Sequence, residues 1–526
     1  MTTVAPYESQ ARAGRDRFER LVHAEWTKFR TVRGWVVAIM LIPLLTVAGA
    51  ALLSHSSCSL TSANGQSAAC TAPPAGPGGQ AVIDSFYFAH RSLTGNGTIT
   101  VRITSLTGRY TPVTDTAADI TSGFKPGVQP WSKVGIMVSA STAQGSAYAA
   151  MMVTGGNGVR MQWNYTGDSP GLAGPVSASS PRWLRLTRSG DTMTGYDSPD
   201  GMHWTAVSSV VLGDLSSSAQ IGLFATSPSY TVTSPAFGGG SSQATGAFDN
   251  LALTWAGAGA WTGTSIGASP AGSNGPDPFS GSFTQSRDTF TVTGSGDIAP
   301  EVPETWNGIG AKAQNALTGT LLCLIAAIIV AALFVTAEFR RGLIRLTFAA
   351  SPRRGRVLAA KAVVIGSVTF AAGLVGAAIA LPFGIHLMRG GGSPVLPNTA
   401  FTEIRMVVGA AAMLALAAVL ALALGTLARR GVTAVTGVIV VIFLPILLAA
   451  LQGLVPAVVQ EWLLRVTPAA AFSVIQSLPA YHQVQGQYET AFGYFPLSWW
   501  AGLAVLCAWT AVALAGATYA LHRRDV

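Results

Sequence analysis

A helical membrane protein of six spans with an all-β sandwich inserted outside the bilayer is the architecture this sequence predicts, and three observations predict it. Hydrophobic residues make up 49% of the 526 positions and charged residues only 10%, against about 25% charged in an average soluble protein. The apolar residues fall into six long segments, 34–53, 316–336, 357–381, 406–427, 432–454 and 498–521, each long enough to cross a bilayer. Gly (59) and Pro (28) are too frequent for helices alone. Gly, Ser, Thr and Pro dominate the stretch after residue 54, which then breaks into short alternating runs.

Charge supplies the topology. The net charge is +9, yet residues 54–315 hold 11 Lys and Arg against 14 Asp and Glu, a net −3 that leaves +12 elsewhere. A basic chain invites a nucleic-acid reading. Here the cations sit beside apolar spans, with no aromatic interleaving and no zinc-finger or helix-turn-helix pattern, so nucleic acid is not an expected partner. The loop 337–356 and the start of the third span carry Arg340, Arg341, Arg345, Arg353, Arg354, Arg356 and Lys361 against one acid, Glu338. The N-terminal segment, Arg429-Arg430 and Arg523-Arg524 fall on the same side once six spans are drawn. That side is the cytoplasmic one, which places both termini inside and the β insert outside. Arg outnumbers Lys 27 to 5, and with abundant Ala and Gly this points to a bacterial plasma membrane.

Within residues 1–33, a tail leads into an amphipathic basic helix from Asp16 to Val32. Phe18, Leu21, Val22, Phe29 and Val32 form its apolar stripe, which suits the membrane interface. Glu25 interrupts that stripe, where an unpaired carboxylate is unfavourable. Two readings stand: it extends to the headgroups, or it pairs with a basic residue of the bundle or of the central loop. The first span, 34–53, is expected to remain uncleaved, because the basic segment before it is longer than a signal-peptide n-region.

The insert, 54–315, divides into a sandwich over 80–256 and a linker with a β return over 257–315. Its strands are signalled by alternation in TITVRIT (Thr98–Thr104), KVGIMVS (Lys133–Ser139) and RWLRLTR (Arg182–Arg188). Cys58 and Cys70 flank a short small-residue segment just outside the first span, and a disulfide between them suits an oxidising compartment. Trp131, Trp163 and Trp204 are candidate glycan contacts, the alternative being that they pack in the core. In the third span Gly366, Gly373 and Gly376 permit close helix contact. The region 455–497 is semi-polar and forms a broken outer hairpin.

No chemistry-bearing grouping emerges. There is no G-x-x-x-x-G-K-[ST] loop, no H-x-x-x-H, no C-x-x-C and no Ser-His-Asp grouping, so neither a metal site nor a catalytic residue is expected. The spans hold almost no ionisable residues, unlike ion-coupled carriers. Neither an ATP site nor an ion-coupling site is therefore expected in this chain, and any energy it uses comes from a partner.

Two stretches carry a family resemblance. AEFRRGLIRLTFAASPRRGRVLAAK (Ala337–Lys361) resembles the loop between the second and third spans of ABC transporter permeases of the type-2 (exporter) class, and AEWTKFRT (Ala24–Thr31) resembles their elbow helix. The resemblance covers the membrane part from Arg17 to Arg524. It implies that Glu338, Arg340, Arg341, Gly342, Arg345, Pro352, Arg353 and Arg354 belong to a coupling loop that meets an ATP-binding subunit. Glu338, Arg341 and Arg345 are spaced to pair along one helix side. Glu25, Trp26, Lys28 and Arg30 belong to the elbow. It also implies a dimer with a second copy or a similar permease, no cofactor in this chain, and ATP with Mg in the partner.

The insert resembles a concanavalin-A-like (laminin-G-like) jelly roll, through DSFYFAHRSLTGNGTITVRI from Asp84, PRWLRLTRSGDTMTGYDSPDGMHWT from Pro181 and ATGAFDNLAL from Ala244. The glutamate string E-x-D-x-x-E of glucanases with that fold does not occur here. The expected function is a non-enzymatic permease subunit exporting a lipid-like or amphipathic substrate, in contact with membrane lipid. The rival reading is a membrane-anchored carbohydrate-binding or adhesion protein facing cell-wall or surface glycan.

Overall fold

Uninterrupted apolar sequence with few β-branched breaks forms helices, and those helices dominate the membrane part of the protein. The structure is a computed structural model that describes residues 18–54, 59–61, 67–111, 124–215, 218–232, 238–255, 259–267, 281–303, 310–340, 342–351, 353–450, 455–485, 488 and 490–523. Nine α-helices are described: α1 (Phe18–Thr31), α2 (Arg33–Leu53), α3 (Thr320–Arg340), α4 (Leu343–Ala350), α5 (Arg354–Gly390), α6 (Ala400–Ala428), α7 (Gly431–Ala450), α8 (Ala457–Val466) and α9 (Trp499–Arg523). Among the described residues six helices are long and apolar enough to cross a membrane: α2, α3 with its preceding turn, α5, α6, α7 and α9. The segments Val458–Val466 and Pro468–Ile475 form a pair bent by 87°, because Pro468 cannot donate the hydrogen bond that would continue α8.

The helix α6 occupies the centre, packed on α3, α5, α7 and α9. Its sequence is rich in Ala and Leu, and Gly409, Ala410, Ala417, Ala421 and Gly425 are buried. Small residues let neighbouring backbones approach, which is how helices gain packing energy where the solvent is itself apolar. Gly376 of α5 shows the same device: an added Cβ would lie 2.9 Å from Pro43 Cα of α2. The helices α3, α5 and α6 run past the expected spans, α3 to Arg340 where the span was expected to end at 336. The third span was expected to end at Leu381, yet α5 continues to Gly390, and α6 begins at Ala400 instead of 406. Apolar windows mark the membrane part of a helix, and a helix does not stop at the membrane surface.

Between α2 and α3 the chain builds an antiparallel β-domain. One sheet of seven strands runs in the order Gly167–Pro170, Val159–Trp163, Tyr148–Thr154, Lys133–Ser139, Ser218–Thr226, Phe86–Thr94, Thr262–Ile266. The eight-stranded sheet runs Thr205–Val211, Thr192–Ser198, Arg182–Ser189, Gly97–Tyr110, Ser242–Leu253, Thr289–Gly294, Ser282–Ser286, with Lys125–Pro126 also on Gly97–Tyr110. The two sheets face one another across a core that includes Ile99, Val101 and Ile103 from one and Val134, Ile136 and Val138 from the other. Alternation explains the pattern in Gly97–Tyr110, where every second residue from Ile99 to Ile103 is buried.

The sandwich does not end at residue 256. Thr262–Ile266 is an edge strand on Phe86–Thr94, and the hairpin Ser282–Ser286 with Thr289–Gly294 extends the other sheet. The expected linker therefore contributes one strand, Thr262–Ile266, which its Gly- and Ser-rich composition hid, because an edge strand buries little side-chain area. The hairpin Ser282–Ser286 with Thr289–Gly294 falls within the β return expected there.

Lys133–Ser139 and Tyr148–Thr154 are buried along their whole length. On their second face Met137, Tyr148, Ala150 and Met152 cluster with Phe86, Phe88 and Phe224 of the same sheet and with Val82 and Ile298 of the strand pair Val82–Asp84 with Ile298–Pro300. These two strands lead in from α2 and out to α3, and buried polar contacts fix both. Lys133 Nζ donates to Asp297 Oδ1 at 2.6 Å and to the Ile298 carbonyl at 2.8 Å. The Asp84 carboxylate accepts from Tyr165 Oη and from the Gly145 N–H, each at 2.8 Å.

Burial pushes the Asp84 carboxyl up to about 6, against those two hydrogen bonds, which lower it. A folded-state value above the ordinary one means that this contribution to stability is full below the ordinary value and is lost as pH rises through about 6. The unfolding midpoint of the β-domain is therefore expected to fall between about pH 4 and pH 7. Asp84→Asn is expected to flatten that part of the profile, as read by amide exchange of residues 133–165. An unchanged slope in the variant would assign the effect to another group.

The β-domain rests on the membrane domain. Gln483 Nε2 donates to the Tyr165 carbonyl at 3.1 Å, and Gln485 Nε2 to Gln129 Oε1 at 3.0 Å. Ala299 and Val302 pack with Val484 and Tyr494, and Ala81 with Leu396 and Leu478.

Candidate functional site

The ends of α3, α5, α6 and α9 that carry the basic residues meet at the end of the bundle away from the β-domain. Gly342 turns the chain there. Its φ of +67° lies in the left-handed region and breaks the helix between Arg340 and Leu343. The short helix α4, LIRLTFAA, then runs with Ile344 buried and Leu343 and Leu346 exposed, Leu346 at 69%. Ser351 is extended and caps α4, and α5 begins at Arg354. Arg354 donates to the Leu521 carbonyl of α9 and lies 5.4 Å from the Phe348 ring centre. Arg429 lies 5.6 Å from the Phe339 ring centre. The helix α4 is thereby seated against the ends of α3, α5 and α9.

Behind α4 lies a cluster of four charges. Lys361 Nζ, almost fully buried, donates to Glu25 Oε2 and to Glu338 Oε1, both at 2.7 Å. Lys28 Nζ donates to Glu25 Oε1 at 2.8 Å and to Glu338 Oε1 at 3.3 Å. Lys28 Nζ also reaches Thr347 Oγ1 of α4 at 3.5 Å. Two carboxylates and two ammonium groups balance, so the cluster is neutral as a unit. Its floor is aromatic. Lys361 Nζ lies 4.9 Å from the Phe334 ring centre, and Phe29 and Trp35 meet Phe334 edge-on at 5.9 and 5.0 Å. Glu25 and Lys28 come from α1, Glu338 from α3 and Lys361 from α5. One network thus joins the amphipathic helix to two spans.

Such a network adds little net stability over an apolar replacement, since desolvation offsets the attraction. What it supplies is specificity of arrangement: each carboxylate accepts from both lysines. Glu338 Oε2 is buried with no hydrogen-bond partner among the described residues.

The expected site residues divide into two groups. Arg340, Arg345 and Arg353 are exposed around α4 with Gly342, and Arg354 is half-buried. Trp26 and Arg30 are exposed on α1, whereas Glu25 is buried. Glu338 differs from the expectation. It does not lie along one helix with Arg345, because the helix stops at Arg340; its carboxylate turns inward to Lys361 and Lys28. Arg341 and Pro352 lie outside the described residues. Lys361 was counted only as part of the basic loop. A lone lysine in the first turns of an apolar span is the signal that identifies it.

The tryptophans do not form a shared platform. Trp131 is buried, with the Arg160 guanidinium 5.7 Å from its ring centre. Trp163 belongs to the seven-stranded sheet and packs over Gly167 of the adjoining strand. Trp204 precedes the edge strand of the other sheet, and the Arg185 guanidinium lies 3.8 Å from its ring centre. Cys70 is disulfide-bonded and Cys323 and Cys507 are free thiols; Cys58, the expected partner, lies outside the described residues.

Residues 20–526 match the sequence model of a family described as ABC-2 family transporter protein. No curated protein matches the chain. Among solved structures, a functionally unknown protein from Saccharomyces cerevisiae is similar at 17% identity, over 33% of this chain and 77% of that one, with a TM-score of 0.19. Scytalido-glutamic peptidase with a transition-state analog inhibitor is similar at 9% identity, over 40% of this chain and 98% of that one, with a TM-score of 0.26. Likenesses at those scores bear on neither fold nor chemistry.

Proposed function

Because this chain belongs to the ABC-2 family of transporter proteins, we propose that it is the permease subunit of an ATP-driven exporter and that a separate ATP-binding subunit docks against α4. The observation that carries this reading is the four-charge cluster directly behind an exposed amphipathic helix ringed by Arg340, Arg345 and Arg353. Ile344 and Phe348 face Val357 and Leu358 of α5 and Leu521 of α9 across a small cavity, and the ion pairs join α1, α3 and α5. With 37 residues, α5 is about 55 Å long, so a tilt at its basic end becomes a displacement at the β-domain end. There the segment after α5 pairs, through Val395, with Ala311 ahead of α3.

In this reading ATP and Mg bind to the partner, and this chain performs no hydrolysis. Half the usual number of spans calls for a dimer, with a second copy or a similar permease. The basic end is cytoplasmic by the positive-inside rule, which puts both termini inside a bacterial plasma membrane and the jelly-roll-like β-domain outside. The nearly uncharged spans suit a lipid-like or amphipathic cargo.

Affinity purification from mild-detergent membranes tests the reading. The wild type is expected to bring an ATP-binding subunit with it. A triple variant, Arg340→Glu, Arg345→Glu and Arg353→Glu, is expected to lose at least about tenfold of that subunit by mass spectrometry, while its own abundance stays level. Exposed cations contribute little to folding, so the loss reports docking. An undiminished subunit in the triple variant would place the docking surface elsewhere.

A further inference from the structure

We propose that the β-domain end of the α5–α6 pair holds one resident phospholipid whose headgroup joins a phosphate to a primary amine, phosphatidylethanolamine in chemical class. The two helices enclose a groove of about 510 Å³. Its walls are apolar, with Leu381 and Ile385 on α5 facing Ile404 and Val407 on α6, and its mouth carries His386, Arg389 and Glu403.

Depth and polarity agree on both helices. From Lys361 to Leu381 is twenty residues, about 30 Å of helix and the thickness of a hydrocarbon core. Leu381 therefore lies where acyl chains end, and His386 and Arg389 lie about 8 and 12 Å beyond it, at headgroup level. On α6, which runs the opposite way, Glu403 is at headgroup level and Val407 one turn deeper. A groove graded in this way matches a lipid lying along it. It does not match a water-soluble ligand, which has no use for the deep half.

Charge identifies the headgroup. Among the described residues, the side chains of His386, Arg389 and Glu403 make no hydrogen bond or ion pair, and Arg389 and Glu403 share the groove without pairing to each other. Cation-capable groups on α5 stand opposite a carboxylate on α6. Guanidinium binds phosphate through paired N–H donors, and a carboxylate accepts strong hydrogen bonds from an ammonium. A zwitterion with N–H donors satisfies both walls. Phosphatidylcholine lacks the donors, and phosphatidylglycerol lacks the cation. The inference rests on the spans alone and is independent of an ATP-binding partner.

The full-length protein, delipidated in detergent, is titrated with dioleoyl phosphatidylethanolamine, phosphatidylcholine and phosphatidylglycerol, and bound lipid is counted by native mass spectrometry. Retention of the ethanolamine lipid is expected to exceed that of the other two by about tenfold, the equivalent of one charge-assisted hydrogen bond. Arg389→Ala is expected to lower retention of all three lipids, since each carries the phosphate. Glu403→Gln is expected to erase only the preference for the ethanolamine lipid. Val408→Trp, which fills the groove, is expected to displace the lipid with all charges intact. Equal retention of the three lipids, or ethanolamine-lipid binding by Arg389→Ala at the wild-type level, overturns the proposal.

Discussion

Lys361→Ala is expected to destabilise the membrane domain by about 3–5 kcal/mol, the usual consequence of leaving buried carboxylates without their partner. In the wild type both Glu25 and Glu338 accept from Lys361 at 2.7 Å. With it gone, two carboxylates share a single half-exposed ammonium, that of Lys28. Abundance and thermal midpoint in detergent should both fall sharply. The control separates charge from volume. Lys361→Met combined with Glu25→Gln and Glu338→Gln removes the charges together and keeps the side-chain sizes, so most of the stability should return. If the triple variant is coupled less well to ATP hydrolysis although stable, the network transmits movement and does more than hold the helices. A single Lys361→Ala protein as stable as the wild type would contradict the buried arrangement.

The second large effect is expected where α2 passes the start of α3. A Cβ added at Gly49 would lie 2.3 Å from Gly319 Cα, a backbone atom that cannot rotate away. Gly49→Val should therefore separate the two helices that carry the β-domain, at a cost of at least about 3 kcal/mol, the upper part of the overpacking range. Gly34→Val in the same helix meets nothing within 4 Å and should leave the stability within about 1 kcal/mol of wild type. Equal effects of the two would show that the helices do not cross at Gly49.

Much of the fold was legible because each segment announces its own surroundings. A run of twenty apolar residues needs a bilayer, and TITVRIT needs a sheet with one buried face. Glu25 was legible as an anomaly, a carboxylate on an apolar stripe, and its resolution by Lys361 and Lys28 follows from the cost of burying a charge alone. The direction of Glu338 was not legible. Spacing to Arg341 and Arg345 assumes one continuous helix, and the left-handed turn at Gly342 breaks that assumption two residues after Arg340. Nor was the third layer of the β-domain. Val82–Asp84 and Ile298–Pro300 are three residues each and more than two hundred residues apart, and pairing over such a distance leaves no local trace. The α5–α6 groove escaped for a related reason: His386, Arg389 and Glu403 converge only because α5 runs nine residues past the expected end of its span.

The most direct test of the account is a photo-crosslinking amino acid at Leu346, an exposed leucine of α4. In intact membranes it should capture an ATP-binding protein, and the same group at Phe401, exposed at the opposite end of the bundle, should not. Capture from Leu346 alone would establish that the partner presses where the charge cluster stands behind the helix. No ATP-binding protein captured from Leu346, in membranes where the wild type brings one down on affinity purification, would mean that α4 is not the coupling surface.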